Sequence, residues 1–238
     1  MIIKNTLKAA IASAVVLSLA GCLGNSSGGA PTGGGATTGG TTTGGGTSTG
    51  GGATSGGGTS TVAEFDAKAL SYVFLVPTQT ALSGSADYKG EVSVLTMANA
   101  NDNTEALIGD LDVNVNFDAG ASKPVTATAG NFAGKVNGVD ATVIGTLSTA
   151  NSIANDVNTV TSQTTSVPAT LTSATATLRG NIADSTGALA GDARMILGAT
   201  LMEADGGKLS GGHQTTIFPT DGGTSIATGG SIWADKQP

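Results

Sequence analysis

The residue with the clearest chemistry in this chain is a single thiol. Cys22 is the only cysteine among 238 residues, and Leu19, Ala20 and Gly21 stand directly before it. A thiol is a nucleophile that can be alkylated. Small residues ahead of it let a peptidase approach the backbone. Upstream lie Lys4, Lys8 and an apolar run from Ala9 to Ala20. A charged start, a short apolar core and small residues at the cut are the layout of a secretory signal. The run is shorter than the roughly 20 apolar residues that cross a bilayer as a helix.

Elsewhere the reactive inventory is thin. His213 is the only histidine, and a zinc site built on it would need carboxylates for its other ligands. No Gly-x-Ser-x-Gly elbow occurs, so a Ser–His–Asp triad could arise only through folding. Asn99, Asn101, Asn103 and Glu105 alternate as in a calcium loop, but Thr104 takes the place of the glycine such a loop requires. Asp110 and Asp112 share the wet face of a strand. No phosphate loop, dinucleotide fingerprint or basic aromatic patch is present. No catalytic residue, metal or cofactor is expected, and the protein is not read as an enzyme. By residue type Tyr88 and Trp233 are the best interface anchors, with packing in a core or at a barrel end as their competing role.

Leu19-Ala20-Gly21-Cys22 resembles the lipobox of bacterial lipoproteins, whose cysteine is lipidated and becomes the first residue. The resemblance implies a membrane anchor at Cys22. Each buried CH₂ of an acyl chain contributes about 0.8 kcal/mol, so two or more chains anchor a protein without a transmembrane helix. Leu23, rather than Asp, follows the cysteine. That resembles the sorting pattern for outer-membrane delivery in Gram-negative cells.

Residues 23–60 are almost wholly Gly, Thr, Ser and Ala, with no charged or aromatic residue. Such a segment cannot bury enough surface to offset its ordering entropy. As a random coil its 38 residues span about 34 Å, a tether that holds the rest of the chain off the membrane. The expected organisation is a signal peptide over 1–21, the lipidated cysteine and a disordered linker over 22–61, a strand or vestigial handle over 62–85, and a barrel over 86–238.

Two of the ten basic residues, Lys4 and Lys8, precede Cys22, while all seventeen acidic ones lie beyond residue 60. Eight basic against seventeen acidic residues leave a mature charge of −9. That balance argues against nucleic acid and against charge-driven binding to anionic lipid. With Cys22 consumed by lipid, no disulfide is available, and the fold must hold by burial and sheet hydrogen bonds.

Past residue 85 the pattern is all-β. Leu111, Val113, Val115 and Phe117 alternate with Asp110, Asp112, Asn114 and Asn116, one face dry and one wet. Residues 86–98 alternate too, with Tyr88, Val92 and Val94 opposite Lys89, Glu91 and Ser93. Turn chemistry between them predicts a hairpin. Residues 125–137 and 139–149 form the next pair about Gly138, the second placing Val139, Ala141, Val143 and Leu147 on one face. A polar run over 150–167 reads as a long loop. Strands over 169–183, 188–203, 208–218 and 224–234 follow, joined by Asp- and Gly-rich turns. Eight strands with short connections predict an antiparallel up-and-down β-barrel, with a β-sandwich as the competitor. Glycines within the strands favour the sharper coiling of a small barrel. The last strand is expected to pair with the first, with Ile226 and Ile232 inside and Trp233 outside.

Several segments resemble the barrels of the transferrin-binding protein B family of Slam-dependent surface lipoproteins. Ser83–Gly90 resembles an opening strand, and Val113–Asp118 a "VDF" strand. Gly130-Asn131-Phe132-Ala133-Gly134-Lys135-Val136-Asn137-Gly138 resembles a glycine-spaced "FSGxVxG" strand. Gly229–Gln237 resembles the terminal closure. The resemblance implies an eight-stranded barrel related to those of factor H-binding protein, held on the outer membrane at the cell surface and delivered by an outer-membrane translocon. It implies a host protein or nutrient as ligand. The chain departs from two-lobed members in carrying one barrel. A small-ligand barrel of lipocalin type and an envelope hydrolase are the alternatives.

Overall fold

The computed structural model describes residues 60–96, 105–164 and 170–238. It is a closed eight-stranded antiparallel β-barrel with one helix on its outer wall. The elements run α1 (Val62–Val73), β1 (Ser85–Leu95), β2 (Ala106–Asn116), β3 (Val125–Val136), β4 (Val139–Ile144), β5 (Thr146–Ser148), β6 (Asn158–Thr164), β7 (Thr170–Asp184), β8 (Ala190–Met202), β9 (Lys208–Pro219) and β10 (Ile226–Lys236). A 3-10 turn, Thr149–Asn151, lies between β5 and β6.

The expected meander is present. β1 pairs β2 from Ser85↔Asn116 to Leu95↔Ala106, and β2 pairs β3. The fourth wall strand is β4 and β5 together, broken at Gly145. Its φ is +113°, and a Cβ there would meet the Asn181 carbonyl oxygen at 2.2 Å, so only glycine fits. β7, β8, β9 and β10 complete the wall. β10 meets β1 from Tyr88↔Lys236 to Val92↔Ile232, as expected for closure, which leaves no edge along that seam.

Alternation puts one side chain in two into the lumen, where Leu111, Leu147, Leu178, Met195, Leu201, Ile217 and Ile232 are buried in one continuous cluster. Full burial of each such side chain is worth about 1.5–3 kcal/mol. Alanines at 86, 127, 129, 174, 176, 193 and 234 fill the narrow gaps between them. Ile226 is half-buried against this core, and so is Phe117, one residue past β2. Asp112 is exposed.

Four expectations are corrected. Residues 62–73, expected as a strand or handle segment, are a helix and not a strand. They form α1, followed by a segment that crosses one barrel end. The helix starts at a capping box: Thr61 Oγ1 accepts the Glu64 N–H, and Glu64 Oε2 accepts the Thr61 N–H at 2.8 Å. Phe65, Ala69 and Tyr72 share one helical face and settle on the wall. Next, residues 150–167 are not a plain loop, because β6 pairs β7 from Asn158↔Ala176 to Thr164↔Thr170. Third, Glu91 and Ser93 sit on the outer face yet are buried, since strand pattern cannot show that a helix covers the wall. Fourth, Val139 is exposed, because it sits at the tight turn about Gly138, φ +79°.

Candidate functional site

The outer wall under α1 has the densest chemistry among the described residues. Phe65 packs on Ala106 and Ile108, with Val62, Ala69, Leu95 and Trp233 around them, forming a second apolar cluster outside the barrel. Trp233 points outward, as its parity requires, but the helix covers it. Its ring lies 5.9 Å from that of Tyr72, tilted by 46°. Lys68 Nζ stands 5.2 Å from the Trp233 ring centre and 5.5 Å from that of Tyr72, within cation–π range. Trp233 is therefore the anchor of the chain's own helix and not a free contact point.

Asp235 ties this junction together. It accepts hydrogen bonds from the Tyr72 hydroxyl and Lys208 Nζ, and Lys68 Nζ lies 3.6 Å away. Burial opposes its ionisation, but Lys208, Tyr72 and the Lys68 charge together outweigh that and hold the carboxyl below its ordinary range. Burial and the neighbouring Asp235 carboxylate push the Tyr72 phenol up. At the other end of the helix, Glu91 accepts the Ser60 hydroxyl at 2.8 Å through Oε1. Glu91 Oε2 and Trp233 Nε1 are buried without a partner among the described residues. Burial pushes the Glu91 carboxyl up, against the Ser60 hydrogen bonds.

Tyr88 does not serve as a surface anchor. It is 1% exposed, and its hydroxyl donates to the Gly206 carbonyl at 2.8 Å. With half-buried Leu82 it closes one end of the lumen. The segment after α1 runs over this end. There the Thr78 N–H donates to the Leu201 carbonyl, and the Glu203 N–H to that of Val76.

His213 faces the lumen. Its Nε2 donates to the Ser93 carbonyl oxygen at 2.7 Å, and its Nδ1 lies 2.9 Å from the Thr215 hydroxyl. The ring reaches β1 by passing over Gly230, where a Cβ would stand 1.8 Å from Ser93 O and 2.8 Å from Nε2. Burial pushes the imidazole down to about 4, against the hydrogen bond to Ser93. It is a structural group that closes the β1–β10 seam beyond the last backbone pair. Asp110 and Asp112 are likewise occupied, by Asn131 at 2.7 Å and by Lys89 at 2.6 Å. No group of three His, Cys, Asp or Glu side chains that could hold a metal occurs among the described residues.

A groove of about 560 Å³ lies on the outer wall of β1, β2 and β3, lined by Asp87, Lys89, Asp112, Asn114, Lys123, Thr126 and Gln237 among others. A smaller cleft of about 340 Å³ lies across β7 and β8 at Arg179, Asn181, Asp192 and Phe218. Beside it Arg179 holds Asp156 through two hydrogen bonds of 2.6 and 2.8 Å. That pairing pushes the Asp156 carboxyl down to about 2 and pins the loop before β6 to the wall. Both cavities open outward, while the lumen is filled by side chains, which weighs against an interior lipocalin-type site.

Leu19, Ala20, Gly21 and Cys22 lie outside the described residues, as do Asn99, Asn101 and Asn103. The helix-covered wall was missed in the sequence. Its signal was present in Thr61-x-x-Glu64 and in the i, i+4, i+7 spacing of Phe65, Ala69 and Tyr72.

The fold and this site define a closed antiparallel barrel with a helix-clad outer wall and a packed interior. No family model, curated protein or solved structure matches the chain.

Proposed function

We propose that this chain is a lipid-anchored surface protein of the outer membrane whose barrel binds a host protein or nutrient through its outer wall and loops. The lipobox-like Leu19–Cys22 and the uncharged tether after it support the anchoring. The observation that carries the binding mode is the filled lumen, which leaves recognition to the outside. The 560 Å³ groove offers two carboxylates, two amides, two lysines and threonine hydroxyls in one concavity, a lining suited to a polar partner. The remaining acidic surface suits a basic partner by long-range attraction.

Two experiments test this reading. Cys22→Ala releases the protein into the soluble fraction with its fold intact; membrane association that persists in high salt defeats the anchoring. Residues 22–238 with Cys22→Ala, used as bait in serum or culture medium, capture a partner that the further changes Asp112→Lys with Asn114→Lys fail to retain. Retention by that double variant moves the binding face elsewhere.

A further inference from the structure

We infer that β6 is a self-association edge, on which a second copy of this chain pairs antiparallel across a two-fold axis. Closure of the barrel removes the edges of the wall strands where they pair, but β6, in line with β4 and β5 on the same side of β7, runs on past the start of β3. It pairs β7 on one side only, and no strand meets its other side among the described residues. At its start the Asn158 amide bonds the Val125 N–H and carbonyl. From Thr159 onward the strand leaves β3 behind, and Thr159, Thr161, Ser162 and Gln163 are exposed. Natural sheets blunt such edges with lysine, proline or a bulge. The β6 sequence NTVTSQT contains none of these.

Charge identifies the occupant. The mature chain carries −9, yet every residue from Val157 to Leu178 is uncharged. Two acidic copies can meet along this edge without like charges facing each other. A basic partner drawn by the acidic surface gains nothing here. The strand is also self-complementary. A two-fold centred on Thr161 sets Thr159 against Gln163 and Val160 against Ser162, pairing hydroxyl and amide groups across the axis. Half-buried Val160 packs on the barrel core, which fixes the strand's facing. One strand pair buries less than the roughly 1,200 Å² of a stable interface, so the dimer is weak and concentration-dependent. Two copies tethered to one membrane would meet more often than in solution.

The test uses residues 22–238 with Cys22→Ala, free of lipid, so its outcome is independent of the anchor and of any ligand. Sedimentation equilibrium should show reversible dimers at high protein concentration. Thr161→Lys places two ammonium groups opposite each other at the axis and should weaken association at least about tenfold. Thr161→Cys should form a disulfide-linked dimer on mild oxidation, whereas Asn181→Cys on the exposed outer wall should not. This second readout stands even if the lysine variant folds poorly. Monomers at every concentration with no cross-link in Thr161→Cys, or dimers indifferent to Thr161→Lys, overturn the inference. So does a monomeric chain that instead binds a synthetic Thr/Val-alternating peptide along β6.

Discussion

Protonation of His213 would place a charge where nothing can receive it. Nε2–H is already bound to the Ser93 carbonyl, and Nδ1 accepts from Thr215. The folded imidazole titrates near 4, against an ordinary value of 6.5. Between those values the unfolded chain binds a proton that the folded chain refuses, so stability falls as pH drops from 6.5 towards 4. The slope is at most about 1.4 kcal/mol per pH unit. Glu91 acts in the opposite sense, since its raised carboxyl gains stability on protonation. Urea unfolding at pH 7 and pH 5 should therefore show a loss that His213→Gln largely removes. A wild-type chain equally stable at both values would contradict this. Phe117 and Asp112 make a second pair to compare. Phe117 is half-buried, so its truncation to Ala should cost about 2 kcal/mol, less than the 3–5 of a fully packed site. Asp112→Ala removes only an exposed ion pair with Lys89 and should stay within about 0.5 kcal/mol.

At the scale of elements, α1 is a separate layer. Its attachment rests on Phe65 and Tyr72, the two side chains of the helix that are fully buried, and on the ionic knot at Asp235. Trp233 is the only tryptophan, so its emission reports this layer alone. Phe65→Ala should loosen the helix, shift Trp233 emission to the red and leave the far-UV β signal nearly unchanged. Emission that stays blue would mean that Tyr72 and Lys68 suffice to hold the helix. β6 is an element of another kind, set in line with β4 and β5 on one edge of β7 and fastened by the Arg179–Asp156 pin on the loop before it.

For the whole molecule, the decisive contact is β1 with β10. Five backbone pairs join them, from Tyr88↔Lys236 to Val92↔Ile232, and beyond these His213, Ser93 and Thr228 side chains take over. Truncation after Gly229 removes all five pairs and strips Ile232 and Ala234 from the core. Cooperative thermal unfolding should be lost. A truncated chain that still melts in one sharp transition would show that closure is not what makes the barrel cooperative.

The features legible in the amino-acid sequence are local and periodic. Alternation along β2, β8 and β9, Gly and Asp at the turns, and eight apolar faces needing one lumen pointed to the strand order and to a barrel, with a sandwich left as the competitor until β10 met β1. The outer surface was settled by tertiary packing instead. Whether a wet-face residue stays wet depends on what docks there, and Glu91, Ser93 and Trp233 were covered by a helix whose capping box and i, i+4, i+7 face lay outside the β pattern. The same limit applied to Tyr88, whose amphipathic ring suits a surface as well as a barrel end, until the Gly206 carbonyl supplied its partner. It applied to His213 as well, because a lone imidazole becomes a seam group only when a glycine on the next strand lets it pass. Periodicity places a side chain on a face; the neighbour that covers it comes from distant chain and is set only when the barrel closes.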